Sequence, residues 1–193
     1  MLKNFTSFYK IAFLLLLAGW LTTYFQSCNV PLDKTTELEK IDSLTHWLDE
    51  AEKKMVIENK NVQQRYDSIE VKLNHISANI ENISKEEQNH LTNYRAVRRT
   101  YNSYLQNYER IHDNQEKHRK RIQELREDVK AGSIDAEEFK KLYRDKRKTI
   151  RDHQREVEEL VQPVLSVEPT YHRTQDKVRS MYQEALTQEP SDS

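Results

Sequence analysis

Breakers of regular structure are scarce in this sequence. Its 193 residues include 2 glycines and 4 prolines, and no proline lies between Pro31 and Pro163. So little glycine leaves no Gly-rich turn to expose a serine nucleophile or cradle phosphate. Cysteine occurs once, at Cys28, which gives thiol chemistry little to work with. Apolar residues are also sparse, at 36% against 33% charged residues. Few apolar residues often mean disorder, but disorder usually brings a charge imbalance or abundant Pro and Gly as well. Here 31 basic residues face 32 acidic ones, giving a formal net charge of -1.

What is present favours helix almost everywhere: Glu, Lys, Arg, Gln and Leu are all good helix formers. Such a chain buries a narrow stripe along each helix and builds one elongated unit. Elongated helices supply few concave pockets. The composition therefore points away from an enzyme, a cofactor or a small-molecule substrate.

The first residues read as an address. Met1 to Lys10 carry Lys3 and Lys10 and no acid, and an uncharged run follows from Ile11 to Phe25. That is a positive n-region and an apolar h-region of signal-peptide length, short for a spanning helix. The run leads into Phe25-Gln26-Ser27-Cys28. The segment resembles the signal peptide of bacterial lipoproteins, in which an aliphatic residue and two small residues precede the acylated Cys. Ser27 fits that pattern, whereas Phe25 and Gln26 depart from it.

The resemblance covers only about the first 28 residues. It implies cleavage after residue 27 and fatty acylation (palmitate or a similar chain) of Cys28. It also disposes of the lone thiol, which would otherwise invite intermolecular pairing in an exported chain. Sorting in this class often reads the residue after the Cys. Asn29 stands there instead of the Asp associated with inner-membrane retention, which implies the outer membrane. No acidic tag for the cell surface follows, so the periplasmic face is expected. The alternative is an uncleaved signal anchor, with Trp20 and Tyr24 as interfacial residues.

Beyond the linker a heptad frame begins. With Leu38 at a and Ile41 at d, the d column includes Leu48, Val62, Ile69, Ile76, Val97, Tyr104, Ile111 and Leu125. The a column includes Leu73, Tyr94, Tyr101, Tyr108, Ile122 and Val129. A sustained 3.5-residue apolar repeat signals helices supercoiling around one another. As one helix, the stretch to Val129 would be roughly 140 Å long. Glu52 with Asn59, Glu87 with His90, and Gln115 with His118 are polar layers that fix register or mark breaks. Ser84 with Glu87 would serve as a capping box, and Glu58-Asn59-Lys60-Asn61 as a turn.

Gly132-Ser133 ends this helix, and Asp135 with Glu138 caps the next. The short connection predicts an antiparallel hairpin that sets Leu125 near Phe139, Ile122 near Leu142, Tyr108 near Val157 and Tyr104 near Leu160.

The fold class expected is all-α: a long coiled-coil helix, an antiparallel helical hairpin and a short C-terminal helix. The chain divides into a signal peptide over 1–27 and a lipidated Cys with a short linker over 28–35. The long helix takes 36–131, with candidate breaks near 59–61 and 84–89. A return helix over 135–162, a C-terminal helix over 170–187 and a frayed tail over 188–193 complete it. This layout leaves the apolar stripe of Leu38–Leu73 uncovered. A lone helix does not keep such a stripe in water and stay ordered. The stripe must meet a second copy, another helical envelope protein, or its own chain through a further turn.

The sequence holds the residue types of two other chemistries. Glu87 to His90 and Glu109 to His112 have the Glu-x-x-His spacing of di-iron helices. On a continuous helix, however, they stand about 33 Å apart and cannot share a metal. Tyr94, Tyr101, Tyr104 and Tyr108, interleaved with Arg95, Arg98 and Arg99, have the residue types of a single-strand nucleic-acid groove. The nearby basic run Lys117-His118-Arg119-Lys120-Arg121 adds positive charge, and outside the cytoplasm it would meet anionic wall or lipid groups. The tyrosines read more simply as seam residues and the charged ones as a solvated face, so neither metal nor nucleic acid is expected. The functional expectation is a non-enzymatic, membrane-anchored periplasmic tether, scaffold or adaptor. The alternatives are a holdase-type chaperone with coiled-coil arms and a bitopic component of an envelope complex.

Overall fold

A computed structural model describes residues 32–55 and 57–188. The expected signal peptide over 1–27, Cys28 and the residues from 189 lie outside the described residues. The described chain is all-α, with helices α1 (Lys34–Lys54), α2 (Asn59–Asn79), α3 (Lys85–Ala131) and α4 (Ala136–Thr187). α1 and α2 follow one another as a segmented first rod. Each packs on both α3 and α4, which pair with each other along their length. The chain thus runs up through α1 and α2, down through α3 and up again through α4.

Local chemistry sets each boundary. Asp33 caps α1, accepting from the Thr36 hydroxyl at 2.6 Å and the Thr36 amide at 3.4 Å. The Ser84 side chain accepts from the Glu87 amide at 3.3 Å, while the Ser84 amide donates to the Glu87 carboxylate at 3.0 Å. This is the reciprocal capping box at the start of α3. Ser84→Ala is expected to cost about 1 kcal/mol in urea unfolding, with Ser84→Thr retaining most of it. Gly132 ends α3 with φ +70°, a left-handed geometry that costs any L side chain energy. Asp135 then accepts from the amides of Glu137 and Glu138 to start α4.

The single helix expected over 36–131 is three helices. The first interruption, at residues 55–58, coincides with the weak seam between Glu52 and Asn59. The second, at residues 80–84, turns the chain back on itself. The apolar stripe of Leu38–Leu73 is therefore covered within the chain. Ile41, Leu44 and Leu48 pack with Ile122, Leu125, Val129, Phe139 and Ile150. Val62, Ile69, Leu73 and Ile76 join a second cluster with Leu91, Tyr94, Val97, Tyr101, Val178 and Met181. The second copy or other helical envelope protein invoked for this stripe is not needed to bury it.

The separate helices expected over 135–162 and 170–187 are one helix of 52 residues, with Pro163 and Pro169 inside it. An internal proline costs about 3 kcal/mol and frees a carbonyl four residues back. Both prolines are exposed, as are Glu159 and Leu165, which own the freed carbonyls, so water can satisfy those groups. Val161, Val164, Thr174 and Val178 stay buried on either side of the prolines and hold the register through them. The hairpin pairing agrees with the expectation from sequence. Leu125 and Phe139, with Ile122 and Leu142, share one cluster, and Tyr104 and Leu160, with Tyr108 and Val157, share the other.

Candidate functional site

Several polar groups that enter the bundle tie one rod to another, whereas buried Thr174 bonds carbonyls of its own helix. At one level Gln115 on α3 is buried, and its amide Nε2 donates to the Leu48 carbonyl of α1 at 3.0 Å. That orientation turns Gln115 Oε1 toward His153 Nε2 on α4, at 2.6 Å. For both contacts to be hydrogen bonds, the neutral imidazole must carry its proton on Nε2. His153 Nδ1 is then buried without a hydrogen-bond partner among the described residues. The His118 ring stands edge-on to His153 at 5.0 Å. Burial, followed by the charge of His118, lowers the His153 pKa to about 4. Burial also lowers that of His118. Beside this layer, Gln154 Nε2 donates to the Trp47 carbonyl at 3.0 Å, a direct tie from α4 to α1.

At a second level Arg65 on α2 meets both carboxylate oxygens of Glu168 on α4 at 2.6 Å. The Tyr101 hydroxyl of α3 donates to Glu168 at 2.8 Å. The Arg65 guanidinium also lies 5.1 Å from the Tyr171 ring centroid. Burial opposes charge on Arg65, but the hydrogen bonds to Tyr101 and Glu168 outweigh it and hold its pKa up. Between the two levels, the Tyr104 hydroxyl donates to the Ile57 carbonyl at 2.7 Å. It thereby satisfies a backbone group left free where α1 breaks into α2.

Comparison of the chain with family models, curated proteins and solved structures finds no match. Its residues have to carry the functional reading.

Cys28, the proposed acylation site, lies outside the described residues. Glu87 is occupied by the Ser84 cap, and Lys177 lies 3.8 Å from it. His90 sits 3.9 Å from Glu86. Glu109 accepts from Asn59 at 3.3 Å, and His112 stacks on Tyr108. Among the described residues no group of three or more His, Cys, Asp or Glu is placed to hold a metal ion. Tyr94, Tyr101 and Tyr104 are buried, and burial raises their pKa values. These rings are not exposed for stacking on bases, and Arg98 lies 3.9 Å from Glu70.

A groove of about 430 Å³ runs between α3 and α4, lined by Arg99, Tyr104, Arg110, Glu156, Leu160 and Pro163 among others. Arg110 and Glu156 pair across it at 3.1 Å. Among the described residues, no helix is long and apolar enough to cross a membrane.

Proposed function

We propose that the chain is a lipid-anchored helical adaptor of a bacterial envelope, attached through acylated Cys28 at the periplasmic face of the outer membrane. One observation carries the reading: the position of the N-terminal end in the bundle. Lys34, at the start of α1, donates from Nζ to the Lys130 carbonyl at 2.8 Å. The chain therefore enters the bundle beside the α3–α4 turn. Cys28 precedes the Asp33 cap by five residues, a span of at most about 18 Å. An anchor there holds the turn end of the bundle near the membrane. α4, about 78 Å long, carries the opposite end away.

That distal third bears Val71 and Leu186, two of the three exposed large apolar side chains among the described residues. This supports an adaptor that presents its far end to a partner. The holdase reading has less support, because the arm it would use to grip clients is packed against α3 and α4. Two or three acyl chains, at about 0.8 kcal/mol per buried CH₂, suffice for firm attachment.

Cells fed radiolabelled palmitate should label the wild-type chain and leave Cys28→Ser unlabelled, with a mature mass that starts at Cys28. Unchanged labelling of the variant would sink the proposal. A mature chain that keeps residues 1–27 would replace it with the uncleaved bitopic anchor.

A further inference from the structure

α4 begins with a marked excess of positive charge. From residue 140 to residue 155 the sequence has eight basic and two acidic residues. Lys140, Arg144, Arg147, Lys148, Arg151 and Arg155 are all exposed. Spacings of three, four and seven put them on one face of the helix, about 22 Å long at 1.5 Å per residue. That face is turned away from the core, which the same helix meets through Phe139, Ile150, His153 and Val157.

The neighbouring acids do little to neutralise the stripe. Asp145 and Asp152 make only peripheral contacts, each 3.9 Å from one arginine of their own helix. Lys140 is 4.0 Å from Glu137, one turn back. Five acids of α1 have partners elsewhere: Asp42 meets Arg126 and both Asp49 and Glu52 meet Arg119 on α3, while Glu37 and Glu50 pair with Lys40 and Lys53 of α1 itself. From α1 the stripe meets an aromatic ring instead. The guanidiniums of Arg147 and Arg151 each lie 5.6 Å from the Trp47 ring centroid, a cation–π arrangement that keeps both at the surface.

From this geometry we infer that the stripe docks on the anionic headgroups of the membrane to which the chain is anchored. The inference rests on the attachment through Cys28 proposed above. Place and charge together support it. The stripe starts little more than one turn after the Asp135 cap, at the end of the bundle where the chain from Cys28 enters. A basic side chain near an anionic bilayer adds about fivefold to its partitioning, and an acyl anchor holds the stripe within reach. The lipid fixes the chain to the membrane, and the stripe holds the turn end of the bundle against it.

The test uses the acylated chain, purified in detergent and reconstituted into vesicles of phosphatidylcholine with or without phosphatidylglycerol. Labelling of Lys140, Lys141 and Lys148 by an amine reagent is read by mass spectrometry, with Lys60 and Lys85 as distal references. Anionic vesicles should slow labelling of the stripe lysines at least fivefold at low salt, and neutral vesicles should not. High salt should restore it. Removing only the cations at Arg144, Arg147 and Arg151 with Gln should lift the protection of the three reporters.

Equal labelling in the two vesicle types would overturn the inference. So would protection by soluble inositol hexakisphosphate but not by anionic vesicles, which would make the partner a soluble polyanion. The intact mass of the purified chain reports the acyl group independently, so failure of the anchor is distinguished from failure of the stripe.

Discussion

Tyr101→Ala should lower the unfolding free energy by about 3–5 kcal/mol, the usual cost of truncating a buried aromatic side chain. Tyr101 is fully buried in the cluster that joins α2, α3 and α4, so its ring cannot be lost without a cavity. The substitution also removes the hydroxyl that donates to Glu168. Tyr101→Phe separates the two contributions. It keeps the ring and loses the bond donated to Glu168 and the longer one accepted from Arg65 at 3.4 Å, and Arg65 still faces the carboxylate, so about 1–2 kcal/mol is expected. Urea unfolding of both variants, followed by circular dichroism, checks the ratio. A cost for Tyr101→Ala near that of Tyr101→Phe would mean the three rods do not close around this residue. In a double-mutant cycle with Glu168→Gln, coupling should appear for Tyr101→Phe, because the two side chains touch.

Acid should destabilise the bundle through His153. Its folded-state pKa is about 4, below the ordinary 6.5, because burial disfavours the charged ring. Above pH 6.5 the folded and unfolded states both hold it neutral, and its contribution to stability is complete. Between 6.5 and 4 the unfolded state takes up a proton that the folded state refuses, so stability falls with pH. Below 4 both states are protonated and the loss levels off. The full shift corresponds to about 3 kcal/mol. Carboxylates titrate in part of this window, so the informative quantity is the wild type minus His153→Gln. That variant has an amide that can still donate to Gln115, and the difference should carry most of the slope between pH 6.5 and 4. Parallel stability curves for the two proteins would show that His153 is not held neutral in the folded state.

The burial pattern was legible from sequence because helices in a bundle obey one spacing rule. Ile41, Leu48, Ile69, Ile76, Val97, Tyr104 and Leu125 all fall in the heptad frame and all are buried. The same frame hid the topology. It runs across the turn at residues 80–84 without a slip, so spacing alone could not show that α3 reverses on α2. The Ser84–Glu87 box marked the place, but apolar Leu73, Ile80 and Ile83 carried the column up to it and Tyr94 and Val97 resumed it in the same frame beyond.

Pro163 and Pro169 misled in the opposite way. The local rule ends a helix there, but buried valines on both sides hold α4 together, and tertiary packing overrides a cost confined to an exposed face. Of the polar ties, Gln115 was visible as a flaw in the seam. Its meeting with His153 was not, because periodicity assigns a face to each residue but does not choose polar partners within a turn. Arg65 and Glu168 gave no signal at all: both look like ordinary surface charges until three rods bring them together. The basic face of α4 was equally hard to see, since the net charge of the whole chain is near zero. The stripe is left uncompensated because the acids of α1 that pair do so with α3 or with α1's own lysines.

The arrangement that would orient the proposed anchor is the return of the first rod to the α3–α4 turn, and one distance tests it. Spin labels on cysteines introduced at Thr35 and Ser133, in a Cys28→Ser background, report their separation by pulsed electron paramagnetic resonance. A folded-back bundle predicts a single short distance, because Lys34 contacts the Lys130 carbonyl. A continuous helix through residues 38–129 would put the pair roughly 140 Å apart, beyond the range of the method, and the loss of any short-distance signal would contradict the account.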